Sequence, residues 1–408
     1  MKICIIGGGL TGLTAAYCLG QDHEVDLYEK RLSLGGCVSS YEIGDYSIEE
    51  FYHHCFAGDS HLFSLMESLH VADRLEWLKG TTGYYADSTI YPLNSPTEIL
   101  RYPLLSFSDK IRLTFLTLRS RKIDTGPLDG ITARDFVTRE IGERAYQSFF
   151  EPLLASKFGD RKDEISAAWL ISRIAIRSNR GLSGEKLGYL KGGFFTLIDA
   201  LSEQVGKHCV IRLQDPVTSL SHETHEWRVN GQRYDAVIST IPPHTLPGGT
   251  LSHLPTIPYQ GAACMLLSLD HDVTSGIYWL NMKDPAPYGA VVAHTNFIPL
   301  ERYGEHLVYL ASYFHGTLPP RKDQAMLEDF CGRFHVQPGD IRWHRMAVDQ
   351  FAGPLYTTGF RKRVLPYQEK GLYLAGMFSG PNYPERSMEG AVCAGEEVAA
   401  LLARQEGA

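Results

Sequence analysis

Gly7, Gly9 and Gly12, in the run Gly7-Gly8-Gly9-Leu10-Thr11-Gly12, stand at the spacing G-x-G-x-x-G, and Glu29 follows about 20 residues later. Each glycine has a physical task in dinucleotide binding. Gly7 permits a tight turn, Gly9 lets the backbone approach a pyrophosphate, and Gly12 lets a helix pack closely on a strand. Leu10 and Thr11 lie in the turn before that helix, whose unpaired N–H groups favour negative charge. Glu29 can accept hydrogen bonds from a ribose. Lys30 and Arg31 come next, then Gly35-Gly36-Cys37, where the glycine pair again lets backbone approach a ligand.

Other residues offer chemistry by type. His53 and His54 form a pair whose imidazoles titrate near neutrality, suited to positioning substrate or moving a proton. The plainer role is that of hydrogen-bonded structural histidines. Arg173 and Arg177 are four apart on one helical face, with Arg180, Lys186 and Lys191 nearby. Such a pair suits a carboxylate or diphosphate, although solvation at a surface is the commoner use. Tyr278, Trp279, Tyr288, Tyr309, Tyr313 and Tyr383 are candidates to line a cavity, with at least two expected to reach it; most aromatics in strands are simply core.

The elements that must position these groups are legible in part. Lys2–Ile6 reads as a strand, Leu13–Leu19 as a helix stopped by Gly20, and His23–Glu29 as a second strand, which completes a βαβ unit. Residues 59–80 carry a helical pattern, 81–93 short strands, and 106–123, 131–157 and 164–178 further helices. Residues 210–213 and 217–220 read as strands. A hairpin follows around Asn230-Gly231, a pair favouring a type I′ turn. Asp235–Thr240 is a buried parallel strand. The chain is strand-rich from Tyr259 to Phe314, then helical near 322–334. It ends in the strand Gly371–Gly376 and a helix from about Ser387 whose Gly390, Ala391, Ala394 and Gly395 form a small-residue face. The 106–122 helix is apolar on one side and basic on the other; a core helix is expected, with membrane-surface contact the less favoured reading.

At 408 residues the chain exceeds the size of one hydrophobic core, so two domains are expected. A hydrophobic content of 44% with 21% charged residues is that of an ordinary globular protein rather than a disordered one. The net charge of −8 argues against nucleic acid as a partner. Eight cysteines without a CxxC pair argue for a reducing compartment and against a zinc site; no metal is expected, and the location is taken as cytoplasmic. Oligomeric state is not legible.

The order of these features resembles the flavin amine oxidase superfamily. The block Ser387-Met388-Glu389-Gly390-Ala391-Val392 is similar to phytoene desaturases; Glu151-Pro152-Leu153-Leu154 and Gly188–Gly193 are similar to protoporphyrinogen oxidases. The resemblance implies a mixed α/β (α+β) fold: a Rossmann-like FAD-binding domain of the GR2 type from residues 1–58, 188–250 and 360–408, and a discontinuous substrate domain from 59–187 and 251–359. It implies FAD held by Gly7, Gly9, Gly12 and Glu29, with Arg31 near the ribose or phosphate and the Val217 backbone at the adenine. Gly376 and Met377 would lie over the ribityl chain and Met388 at the pyrimidine edge of the flavin. Many relatives have an acid where Met377 stands and an arginine where Cys37 stands. The usual setting for covalent flavin is missing, so FAD is expected to be non-covalent. The activity implied is hydride removal from a small or lipid-like molecule, by amine oxidation or desaturation. Tyr52-His53-His54-Cys55-Phe56 also resembles the segment of UDP-galactopyranose mutases that sets a histidine against the flavin, which implies a non-redox alternative on a nucleotide sugar. A flavin-binding protein without turnover is a third reading.

Overall fold

The structure is a computed structural model describing residues 1–177, 185–223, 226–249 and 251–406. Arg180 lies outside the described residues. The opening strand Lys2–Ile6 pairs in parallel with Glu24–Tyr28 on one side and Ala236–Ser239 on the other. The six-stranded sheet is extended by Cys209–Arg212 at one edge and by Leu372–Leu374 and Gln368–Glu369 at the other. Its three central strands are buried almost throughout, as parallel strands covered on both faces must be.

Three separated stretches of chain thus build one sheet, and the two chain ends meet on it. The first helix, Leu10–Leu19, packs against the last, Met388–Glu406. A Cβ at Gly395 would sit 2.7 Å from the Thr11 carbonyl oxygen and 2.8 Å from the Thr14 Cβ, so the small-residue face is what lets the helices touch.

A seven-stranded sheet forms the second layer. Its order is Ile341–Pro354, Tyr259–Leu269, His306–Phe314, Ala290–Ala293, Trp279–Met282, Thr82–Ala86, Thr89–Pro92, antiparallel except where Trp279–Met282 meets Thr82–Ala86. The helix Glu151–Phe158 packs on it at His306–Phe314 and Trp279–Met282, and the helices Ala133–Glu140 and Ala167–Arg177 pack on each other; Phe107–Arg119 is a further helix of this region.

Four elements depart from the sequence-based expectation. The helix in 59–80 ends at Ser68, and Leu75–Gly80 is a strand paired with Glu185–Leu190, because long-range pairing overrides a local helical period. The expected 131–157 helix is broken after Glu140 by Gly142, at φ 124°. The strand expected at 217–220 begins only at Leu220. Asn230 Oδ1 accepts from the backbone N–H groups of Thr218 and Ser219, which removes them from any ladder and leaves Val217 in a loop. In the Phe107–Arg119 helix, Phe107, Ile111, Phe115 and Leu118 are exposed and Leu116 is the buried apolar residue, so this is not a core helix. The reason is its location at the mouth of the cavity described next, where its apolar side meets open space.

Candidate functional site

A cavity of about 1180 Å³ runs from the first strand–helix turn to the Phe107–Arg119 helix. At one end its wall is backbone. The first helix starts at Gly9 with no side-chain cap, so its first-turn N–H groups have no internal partner. A Cβ on Gly9 would have Gly36 Cα as its nearest neighbour at 3.9 Å, which leaves the space before it open. Gly35 N–H donates to the Gly8 carbonyl at 2.8 Å and ties the second glycine pair to the first. Glu29, buried at the rim, accepts from the N–H groups of Gly8 (2.7 Å) and Arg31 (2.8 Å). Arg31 donates to Glu50 and Ser39, so its guanidinium is already engaged.

Gly376, Met377 and Met388 complete this wall together with Lys30 and Cys37. Asn382 fixes the loop between them: Nδ2 donates to the Gly376 carbonyl at 3.0 Å, and Oδ1 accepts from Ser387 N–H at 3.2 Å. Open N–H groups, an unfilled glycine cradle and a buried carboxylate fit the pyrophosphate and ribose of a dinucleotide. Gly12 and Val217 stand off the wall. A Cβ at Gly12 would lie 2.0 Å from the Gly7 carbonyl oxygen, so this glycine serves helix–strand packing.

His53 and His54 lie on the same cavity. His53 Nδ1 meets the Phe51 carbonyl at 2.6 Å, and burial lowers its pKa to about 4. His54 Nδ1 lies 3.3 Å from the Tyr278 hydroxyl, boxed by Phe56 and Trp279. Burial, then the charges of Arg177 and Arg173, hold His54 well below the usual imidazole range. Both rings are neutral at ordinary pH.

Arg173 and Arg177 reach the cavity from one face of the Ala167–Arg177 helix, and three charged residues that sequence reasoning missed stand with them: Lys157, Glu385 and Arg386. Lys157 Nζ lies 3.4 Å from Glu385 Oε1 and 4.9 Å from the Trp169 ring centroid. Burial lowers the Lys157 pKa to about 8 despite the Glu385 charge. Burial works to raise the Glu385 pKa, but Lys157, Arg173 and Arg386 outweigh it and hold the carboxyl below its usual range. The signal for two of them was their place just before the Ser387–Val392 block.

Among the aromatics, Trp279 and Tyr313 are on the cavity wall. Tyr278 touches the site through His54. Tyr309 and Tyr383 differ from expectation. The Tyr309 hydroxyl donates to the Glu49 carbonyl (2.7 Å), and that of Tyr383 donates to Asp129 (2.7 Å) with its ring stacked on Phe360. Tyr288 bonds Asp329 in a separate cluster. Buried hydroxyls need partners, and these found them away from the cavity. Among the described residues, no group of three or more His, Cys, Asp or Glu could hold a metal ion, and no helix is long and apolar enough to cross a membrane.

The sequence profile of the flavin containing amine oxidoreductase family matches residues 10–403, and the chain belongs to that family. It is 25% identical over 286 residues to the coproporphyrinogen III oxidase of Staphylococcus aureus, covering 59% of this chain and 60% of that one. The match thus spans about 60% of the length of that relative and of the coproporphyrinogen III oxidase of Bacillus subtilis. A protein from Exiguobacterium sp. 255-15, provisionally assigned as a protoporphyrinogen oxidase, has the same fold (TM-score 0.78, 20% identity, 99% of each chain). So does reduced UDP-galactopyranose mutase (TM-score 0.74, 16% identity, 99% of this chain and 96% of that one).

Proposed function

We propose that the protein is an oxidoreductase that binds FAD non-covalently and removes a hydride from a C–H of an apolar organic molecule. The observation that carries this is the continuity of one cavity, from the dinucleotide glycines to a lobe walled by Leu113, Phe115, Phe149 and Leu153. FAD bound at the glycine end supplies a two-electron acceptor for the hydride. The first-helix N–H groups and Gly9 hold its pyrophosphate, Glu29 its ribose, and Gly376, Met377 and the N-terminus of the last helix its other half. Cys37 is kept protonated, its pKa pushed up to about 12 by burial, and is no nucleophile for a covalent link.

The chain's own work is positioning and water exclusion. Trp279 and Tyr313 flank the middle of the cavity, and the His54–Tyr278 contact fixes an uncharged imidazole there. A ring held this far below its ordinary pKa is a poor proton acceptor, so His54 is assigned to orienting substrate. The nucleotide-sugar alternative has one observation in its favour, Arg173 and Arg177 in the same cavity; the apolar lobe beyond them favours hydride removal.

The test is anaerobic reduction. Addition of an amine, a polyene or a porphyrinogen to the yellow protein is expected to bleach the flavin band with one of them. Turnover of a UDP-sugar only after dithionite reduction, with none of the three bleaching the flavin, would replace this reading with the mutase one.

A further inference from the structure

The cationic cluster has more positive charge than the protein neutralises. Arg386 is enclosed beside Gly353, where an added Cβ would lie 2.3 Å from its Nε, and its guanidinium makes no hydrogen bond or ion pair with the described residues. Arg173 comes no closer than 3.9 Å to Glu385 Oε1, the same oxygen that Lys157 approaches. Glu385 is therefore one carboxylate set between Lys157 and Arg173, and the Arg386 charge acts on it from beyond ion-pair distance. The other carboxylates on the wall are engaged elsewhere: Glu29 with Gly8 N–H, Asp59 with Phe56 N–H, and Asp349 with Phe351 N–H. Enclosed charge without a partner is unfavourable, and a forked guanidinium is satisfied best by a planar or tetrahedral oxyanion.

The same helices carry apolar groups into the lobe beyond. Leu153 is one turn before Lys157, and Leu170 and Ile174 share a face with Arg173 and Arg177. Past them lie Ile111, Phe115 and Leu118 at the mouth.

The geometry points to an anion subsite formed by Arg386, Arg173 and Lys157, which takes the carboxylate or phosphate of an amphiphilic substrate whose apolar body lies along the lobe toward the Phe107–Arg119 helix. This rests on the reading of the glycine end as the FAD site, and deepens it by naming the class of substrate.

The test uses FAD-loaded protein and three probes with one chain length: dodecanoate, dodecyl phosphate and dodecanol, with binding read by titration calorimetry. At least one anion is expected to bind about tenfold tighter than dodecanol, and the preferred anion identifies the headgroup. Butyrate is expected to bind at least tenfold more weakly than dodecanoate, since it lacks the body. Arg386→Met and Arg173→Met are each expected to remove most of the anion preference and leave dodecanol binding unchanged, while Arg386→Lys keeps part of it. Dodecanol binding as tightly as both anions would overturn the subsite, as would an undiminished anion preference in variants that retain the FAD absorbance. In either case the visible spectrum reports the FAD reading separately, because a failed subsite leaves a yellow protein and a failed cofactor site does not.

Discussion

Where Gly7, Gly9, Gly35 and Gly36 meet the cavity, the wall is backbone; across it, Lys157, Arg173, Trp279 and Arg386 present long side chains from two helices, a strand and a loop. The difference has a physical root. A dinucleotide is read by N–H groups and close approach, which demand glycines at fixed spacing within a single turn. A substrate is read by side chains gathered from distant positions, which leave no local spacing to find. Recognition of the cofactor's pyrophosphate is thus local in sequence, and recognition of substrate is not.

That contrast can be broken most sharply at Gly9. Gly9→Val fills the open cradle, and its Cβ meets no protein atom closer than Gly36 Cα at 3.9 Å. The variant is expected to be folded by circular dichroism and to lose FAD affinity by at least about 100-fold, roughly 2.7 kcal/mol. A yellow Gly9→Val protein would place the pyrophosphate elsewhere. Glu29→Ala is the next step down. Losing hydrogen bonds to a charged group costs about 1.5–3 kcal/mol, so fluorescence titration should show FAD binding weakened about tenfold or more.

Substitutions on the opposite wall should leave FAD binding alone. Lys157 faces Glu385, Arg173 and Arg386 and the rings of Trp169 and Phe158, and its pKa is lowered to about 8. Below that pH the ammonium is charged, and as pH rises through it the cavity loses one positive charge. Affinity for an anionic amphiphile is expected to fall several-fold between pH 7 and 9, and Lys157→Met should flatten that slope. The smallest effect on stability is expected for Leu118→Asp. That side chain is 72% exposed, so unfolding free energy should shift by no more than about 0.5 kcal/mol while KM for an apolar substrate rises.

The same contrast explains what was legible beforehand. The βαβ unit, the Asn230-Gly231 hairpin turn and the Gly395 helix contact each depend on residues close in sequence or on a glycine where nothing larger fits. The 14-residue strand Ile341–Pro354 was not foreseen, since its pairing with Tyr259–Leu269 is supplied from some 80 positions away and its exposed face carries a mixed polar pattern. Glu49 was missed for a related reason. Its carboxylate is buried to accept from Tyr189 and from Phe194 N–H, and both partners lie more than a hundred residues downstream. Tyr309 and Tyr383 were assigned to the cavity by residue type alone, and type does not say which way a hydroxyl points.

The proposed FAD site depends above all on the first and last helices, joined at Thr11 and Gly395, gripping one FAD between them. The most direct measurement is the FAD content of the purified protein after gel filtration, followed by acid precipitation. The expected result is a single FAD per chain, released in full into the supernatant. A colourless protein that takes up no FAD on titration would contradict the account, and flavin retained in the acid pellet would contradict non-covalent binding.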